Sequence, residues 1–163
     1  MAPAPAPDHR PRLSLSHRSP LACWRRRLAS PLLHTGGMQP TVTGKRVLVA
    51  EDDRFLRRAC ETSLRARGFT VATAADGEEA LRAVRADRPD LIVLDMLMPK
   101  LSGLDVLRAV RSDLHTRSVP VLVMSRSVRD FEAVTRLGAN GCLVKARLSL
   151  QQLGDHVTEM LAR

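Results

Sequence analysis

From residue 45 onward the chain alternates short apolar runs with longer segments whose apolar residues recur at helical spacing. Five such runs occur, within KRVLVA, FTVATA, DLIVLD, VPVLVMS and GCLVK, and each is followed by a helical segment. The first, third and fourth runs are apolar almost throughout, so strands formed there must be covered on both faces. The sequence therefore predicts an α/β fold in which five helices cover a five-stranded parallel sheet.

Residues 1–40 differ from the rest in composition, because they are rich in Pro, Arg and Ser and show no usable periodicity. Residues 1–37 hold six arginines against one acid, Asp8, which gives them +5 of the formal net charge of +9. Such a segment cannot bury enough apolar surface to offset its ordering entropy, so it predicts a disordered N-terminal extension. Two alternatives are a start at Met38, with the upstream stretch not translated, and a transit-like peptide. The folded domain is predicted over residues 44–163.

The remaining charge does not favour a nucleic-acid interface, because the later arginines are dispersed along helical faces beside acids. A basic patch requires basic residues to be clustered, and a high total charge alone does not indicate one.

No apolar run approaches the roughly 18 residues that cross a membrane. The three cysteines are scattered and odd in number, which suits neither a disulfide framework nor a zinc site. We therefore expect a cytoplasmic protein without a membrane segment.

Polar side chains stand where four of the predicted strands end. They are Glu51, Asp52 and Asp53 after the first strand, Asp95 at the third, Ser125 at the fourth and Lys145 at the fifth. In an open parallel sheet, functional groups collect in the crevice beyond the carboxyl ends of the strands. We expect these acids, the hydroxyl and the amine to meet at one edge of the sheet. Asp53 is the exception, since it is better placed to cap the first helix than to bind a ligand.

This set of groups favours phosphoryl chemistry. Carboxylates packed together raise each other's pKa values unless a cation lies among them. Because only oxygen ligands are available, the cation is expected to be Mg²⁺. A metal, an ammonium and a hydroxyl together bind phosphoryl oxygens, and an aspartate can itself be the nucleophile. The sequence therefore predicts that Asp95 faces a metal ion and an incoming phosphoryl group.

Four segments carry a further signal by their order and approximate spacing: VLVAEDD, DLIVLDMLMPKLSG, VPVLVMS and GANGCLVK. Over roughly residues 45–162 they resemble the receiver domain of bacterial two-component response regulators. The resemblance implies a flavodoxin-like, doubly wound (βα)5 fold, a three-layer sandwich whose parallel sheet has the strand order 2-1-3-4-5. It also implies a single-domain protein similar to the chemotaxis regulators.

The resemblance implies a role for each residue at the strand ends. Asp95 would be the phosphoacceptor, Ser125 the switch hydroxyl that binds the phosphoryl group, and Lys145 the cation that pairs with its oxygens. The implied Mg²⁺ ligands are Glu51, Asp52, Asp95 and the backbone carbonyl of Leu97. The implied phosphodonor is a sensor histidine kinase or a phosphotransfer protein.

The sequence departs from the family pattern in the switch region. Cys142 stands where the family usually has a swinging aromatic residue, and Arg126 follows Ser125 where a small residue is usual. The segment from Ser125 to Lys145 is about two residues shorter than usual, so a tight loop before the fourth helix is expected. The usual Lys-Pro pair is Lys145-Ala146, which removes the reason for a cis peptide bond.

The resulting prediction is a stand-alone phosphorylation switch. It would signal through the face of the fourth helix, fifth strand and fifth helix, with no DNA-binding domain and no enzymatic activity beyond its own phosphorylation chemistry. One alternative is a phosphate sink or scaffold that docks on a kinase without a standard output switch. Two further alternatives are a magnesium-dependent phosphohydrolase and a transcription factor that uses the basic N-terminal segment.

Overall fold

The apolar runs form five parallel strands in the computed structural model, which describes residues 44–163. The strands are β1 (Arg46–Ala50), β2 (Thr70–Ala74), β3 (Leu91–Asp95), β4 (Val121–Ser125) and β5 (Gly141–Val144). They make one sheet in the order β2-β1-β3-β4-β5, which confirms the doubly wound topology. The predictions for the N-terminal extension, its disorder and the start at Met38, fall on residues that lie outside the described ones.

Five helices follow the strands in the described part of the chain. They are α1 (Arg54–Ala66), α2 (Gly77–Asp87), α3 (Gly103–Ser112), α4 (Phe131–Arg136) and α5 (Leu150–Leu161). Four begin at a side chain that accepts a hydrogen bond from a backbone N–H of the first turn. These capping residues are Asp53, Asp76, Ser102 and Ser149. None of the helices in residues 44–163 is long and apolar enough to cross a membrane.

The fourth helix is shorter than its sequence pattern suggests. A helix over Val128–Gly138 is expected, but the chain forms a 3-10 turn over Val128–Asp130 and then only six residues of α4. Ser127 caps the 3-10 turn, whereas Asp130 makes no side-chain cap to α4. Gly138 ends the segment with φ of 89°, a left-handed conformation that favours glycine. The shortened connection after Ser125 therefore leaves a brief helix entered through a tight turn.

The alternation of side chains along each strand divides the core between the two faces of the sheet. Val47, Val49 and the residues in phase with them pack against α1 and α5. Leu48, Ala50 and the residues in phase with them pack against α2, α3 and α4. Both faces of β1, β3 and β4 are buried, as the continuous apolar runs predict. The sandwich thus has three layers, with the carboxyl ends of all five strands at one edge.

The loop between β3 and α3 is held close to the end of β3. The Gly103 N–H donates to the carbonyl oxygen of Met96 over 3.0 Å. A Cβ at Gly103 would lie 2.0 Å from the carbonyl oxygen of Asp95, so only glycine allows this approach. Within the loop, Lys100 has φ of 65°, and its ammonium pairs with Asp76 at the start of α2. The backbone around Asp95 is therefore fixed from two sides.

Replacing Gly103 with alanine should destabilise the domain, because the added Cβ would collide with backbone rather than with a movable side chain. We expect a loss of about 3 kcal/mol in the free energy of unfolding, at the upper end of ordinary overpacking costs. Urea denaturation followed by circular dichroism measures this loss.

Gly154→Ala in α5 is the comparison variant, because a Cβ there would meet a side chain, that of Arg67, which can move if it gives up its bonds to Asp155 and Gln151. Alanine in a helix interior is favoured over glycine by about 1 kcal/mol, which offsets part of that loss, so this variant should lose less stability than Gly103→Ala. Equal losses in the two variants would contradict the backbone contact as the cause.

Candidate functional site

The sheet register brings the predicted acids together at the carboxyl edge. Ala50 of β1 pairs with Leu94 of β3, so Glu51 and Asp95 stand side by side one residue further on. Oxygens of Glu51, Asp52 and Asp95 all lie within 4.8 Å of one another. Glu51 and Asp95 are 1% and 0% exposed, while Asp52 is exposed. Two of the three carboxylates are therefore withdrawn from solvent, and the third lies at the surface.

Lys145 connects the two buried carboxylates. It directly follows β5, and its Nζ lies 2.7 Å from Oδ2 of Asp95 and 2.7 Å from Oε2 of Glu51. The ammonium donates a hydrogen bond to Oε1 of Glu51 over 2.8 Å. The ammonium forms ion pairs with Oε2 of Glu51 and Oδ2 of Asp95, but neither oxygen accepts a hydrogen bond of good geometry. Oδ1 of Asp95 accepts none either. Lys145 thus neutralises only part of the buried negative charge.

Burial and neighbouring charge shift the ionisation of this group. Burial raises the pKa of Glu51, the Lys145 hydrogen bond opposes that effect, and the Asp95 charge adds to it, so the net pKa is raised. Burial alone would lower the pKa of Lys145, but contacts with Asp95 and Glu51 outweigh it and raise the pKa. Lys145 is therefore firmly cationic, while the ionised form of Glu51 is disfavoured unless more positive charge arrives.

The turn after β1 is held in place by hydrogen bonds from Asp53 and Arg57. Asp53 caps α1 by accepting from the N–H groups of Phe55 and Leu56, which confirms its expected role. The same bonds, led by the one from Leu56, lower the pKa of Asp53. Arg57 donates to the carbonyl oxygens of Glu51 and Asp52 over 2.6 and 3.0 Å. Because their backbones are fixed in this way, both acids stay at the mouth of the site.

Ser125 ends β4 and is fully buried, and its hydroxyl makes no hydrogen bond to Glu51, Asp52 or Asp95. Two acceptors lie within reach of its single proton, the carboxylate of Asp130 and the carbonyl oxygen of Ser127, and its Oγ accepts from the N–H of Ser127 over 3.0 Å. The switch hydroxyl expected from the sequence is therefore held by the segment that leads into α4. Nothing in the sequence pattern points to Asp130 as its partner.

The other predicted residues fall at the border of the site. Arg126 is exposed and lines a cavity of about 650 Å³ together with Asp52, Lys145 and Phe55. Leu97 lies two residues beyond β3 and is 52% exposed, and its carbonyl stays a predicted ligand.

Cys142 is buried in β5, as expected of a small apolar residue, and burial raises its thiol pKa to about 12. All peptide bonds of residues 44–163 are trans, including the one after Lys145.

These residues fit the predicted divalent cation. The three carboxylates and one ammonium have a formal net charge of −2, which a divalent ion would balance. Oδ1 of Asp95 has neither a hydrogen bond nor an ion pair within residues 44–163, whereas Oε2 of Glu51 and Oδ2 of Asp95 are held by ion pairs with Lys145. Oδ1 is therefore the buried oxygen most open to a cation. Oxygen-only ligands of this kind are those that Mg²⁺ prefers. Glu51, Asp52 and Asp95 would hold the ion.

Comparison with known proteins is consistent with the fold and the site geometry. The family model described as the response regulator receiver domain matches residues 47–158. This chain therefore belongs to the receiver domain family of two-component response regulators.

Among similar sequences, the transcriptional regulatory protein PrrA of Mycobacterium tuberculosis is 44% identical over 128 residues, which cover 77% of this chain and 54% of PrrA. The response regulator MprA of Mycobacterium ulcerans is 40% identical over 118 residues, covering 72% of this chain and 50% of MprA. This chain thus spans about half the length of these relatives.

Among solved structures, a response regulator from Chloroflexus aurantiacus has a TM-score of 0.70 and 31% identity, covering 74% of this chain and 100% of the other. The receiver domain of the sensor histidine kinase PA1611 of Pseudomonas aeruginosa has a TM-score of 0.68 and 27% identity, with the same coverage. That structure has a magnesium ion coordinated in its active site cleft.

Replacing Glu51 with glutamine should stabilise the domain at pH 7 in the absence of divalent cations. Because the folded state raises the pKa of Glu51, ionisation of this group costs folding free energy. The wild type is protonated in both states below the usual glutamate pKa, so the difference should vanish there, grow between that pKa and the raised pKa of the folded state, and stay constant above it. Urea denaturation in EDTA over this pH range measures the difference, and we expect Glu51→Gln to be the more stable protein at pH 7.

Lys145→Met is the contrasting variant. It leaves Glu51 and Asp95 buried without a counter-charge, which should cost about 3 kcal/mol at pH 7. A loss of stability in Glu51→Gln at pH 7 would contradict this account, because it would mean that the pairing with Lys145 outweighs burial.

Proposed function

We propose that this receiver domain accepts a phosphoryl group on Asp95, with Mg²⁺ as its cofactor. A sensor histidine kinase or a phosphotransfer protein would supply the group. The observation that carries the proposal is the 2.7 Å contact between Lys145 Nζ and Asp95 Oδ2, at a buried strand end beside two further carboxylates. An ammonium held against the acceptor can pair with the oxygens of an incoming phosphoryl group.

In the proposed reaction a carboxylate oxygen of Asp95 attacks the phosphorus atom of a phosphohistidine. The P–O bond forms as the P–N bond breaks, the electron pair of that bond passes to the histidine nitrogen, and the nitrogen takes up a proton. Lys145 is already in contact with Asp95 and needs only a small displacement to reach a phosphoryl oxygen. A bound Mg²⁺ would draw charge from the other oxygens.

We propose that phosphorylation is read on the face made by α4, β5 and α5. Ser125 connects the site to this face, since its hydroxyl is bonded to Asp130 at the entry to α4. Cys142 favours an alternative output, because a buried thiol replaces the aromatic residue whose swing the family uses. In that alternative the domain is a phosphate sink or a scaffold for a kinase.

The output, location and enzymatic activity of the whole protein stay predictions. The absence of a DNA-binding domain stays a prediction, because the matching relatives are about twice as long as the region they share with this chain. A transcriptional role, which the name of PrrA states for that protein, would need parts of the protein beyond the receiver domain. A cytoplasmic location and the lack of enzymatic activity toward other substrates likewise stay predictions.

Incubation with Mg²⁺ and acetyl phosphate should attach one phosphoryl group to Asp95, seen as a mass increase and located by peptide mapping. The label should be lost in EDTA and in Asp95→Asn. Asp87→Asn is the matched control, since Asp87 is an exposed carboxylate at the end of α2. Undiminished label on Asp95→Asn, or no label on the wild type, would contradict the proposal.

A second measurement separates the switch from the sink. Beryllofluoride, which mimics the phosphoryl group, should shift the backbone amide resonances of α4, β5 and α5 if this face reads the phosphorylation. The resonances of α2, which the proposal leaves unchanged, are the internal control. Shifts confined to the residues around Asp95 and Lys145 would favour the sink or scaffold.

A further inference from the structure

Asp130 is unusual because it precedes α4 but its carboxylate accepts no hydrogen bond from the backbone N–H groups of that helix. It occupies the N-cap position of α4 but makes no side-chain cap there. The equivalent residues Asp53 and Asp76 both accept backbone N–H bonds from their own helices. The carboxylate of Asp130 instead accepts a hydrogen bond from Ser125, five residues earlier. Its orientation is therefore set by Ser125 and not by helix capping.

The Ser125 hydroxyl has a single proton, and this proton cannot serve two acceptors at once. In the described structure it is directed to Asp130 or to the carbonyl oxygen of Ser127. A phosphoryl oxygen on Asp95 would need the same proton, because that oxygen is an acceptor only. Binding of Ser125 to the phosphoryl group therefore requires its proton to leave both of these acceptors, Asp130 included.

The place of Asp130 is linked to the replacement of the usual aromatic residue. Cys142 is 4% exposed and packs in the core on the same side of the sheet as Val134 of α4. The charge of Asp130 adds to burial in raising the pKa of the Cys142 thiol. Cys142 stands at the position of the usual aromatic residue, so in this chain Asp130 is the described partner of the Ser125 hydroxyl on the path to α4.

We propose that Asp130 is a positioning residue that holds the Ser125 hydroxyl away from Asp95 until a phosphoryl group competes for it. The inference rests on the proposed function of Asp95. When the Ser125 O–H turns to donate its hydrogen bond to the phosphoryl group, Asp130 is freed, and with it the turn Val128–Asp130 and the start of α4. Asp130 thereby couples the site to α4 in a chain whose β5 lacks the aromatic residue.

The affinity of the full chain for beryllofluoride in the presence of Mg²⁺, measured by fluorine NMR, tests the competition. Asp130→Ala should bind beryllofluoride about tenfold more tightly, since a hydrogen bond to a charged acceptor no longer has to be broken. Asp130→Asn, which keeps the shape and an acceptor but loses the charge, should lie between the two. Glu132→Gln, which removes a carboxylate of α4 that pairs with Arg136, should bind like the wild type.

The double variant shows whether Asp130 acts through Ser125. In a Ser125→Ala background, Asp130→Ala should change the affinity less than about twofold, because the hydroxyl that it holds is gone. An undiminished gain in that background would overturn the proposal, since Asp130 would then act by its charge alone. Equal affinities of the wild type, Asp130→Ala and Asp130→Asn would overturn it as well.

The same binding experiment distinguishes failure of the proposed phosphorylation from failure of the proposed role of Asp130. If no variant binds beryllofluoride, phosphorylation and positioning are both overturned. If the wild type binds but Asp130→Ala shows no gain, only the role of Asp130 is overturned. Thermal denaturation of each variant establishes that it is folded, and Asp130→Asn keeps the test valid if the alanine variant is not.

Discussion

The rest of the site depends on one ammonium group shared between two buried carboxylates. Lys145 directly follows β5, Asp95 ends β3 and Glu51 directly follows β1, so the contact requires β1, β3, β4 and β5 to be assembled in their observed order. Two carboxylates in this position would not remain ionised with a single counter-charge at no cost, and the raised pKa of Glu51 expresses that cost. The deficit of positive charge supports the proposal that this edge of the sheet binds a divalent cation.

Much of this arrangement can be predicted from the sequence, because it follows from strand order and strand ends. Continuous apolar runs identify β1, β3 and β4 as buried on both faces. The residues that close each run must then lie at one edge, which places Glu51, Asp95 and Lys145 together before any side chain is located. The resemblance adds the strand order, and both the order and the family are confirmed. The roles of the individual residues in phosphoryl transfer stay predictions.

The sequence could not supply the contacts made by side chains across loops. The bond from Ser125 to Asp130 depends on the conformation of a tight turn, and the same turn shortens the fourth helix to six residues. Arg57 binds carbonyl oxygens of the acidic turn, a contact that its place on α1 does not distinguish from solvent exposure. The left-handed backbone conformation at Lys100 could not be predicted, because the sequence has no glycine at that position. These features set the geometry of the site without leaving a periodic signal.

The close approach of Gly103 to the backbone of Asp95 gives the site unequal stiffness on its two sides. The backbone of Gly103 packs directly against the backbone of Asp95, so this side of the site has little freedom to move when a bulky, charged group is added. The segment 126–130, which follows β4, is partly or fully exposed and held by hydrogen bonds within itself and with Ser125. If a charge is added at the end of β3, as proposed, we expect this segment to yield more readily than the backbone behind Asp95.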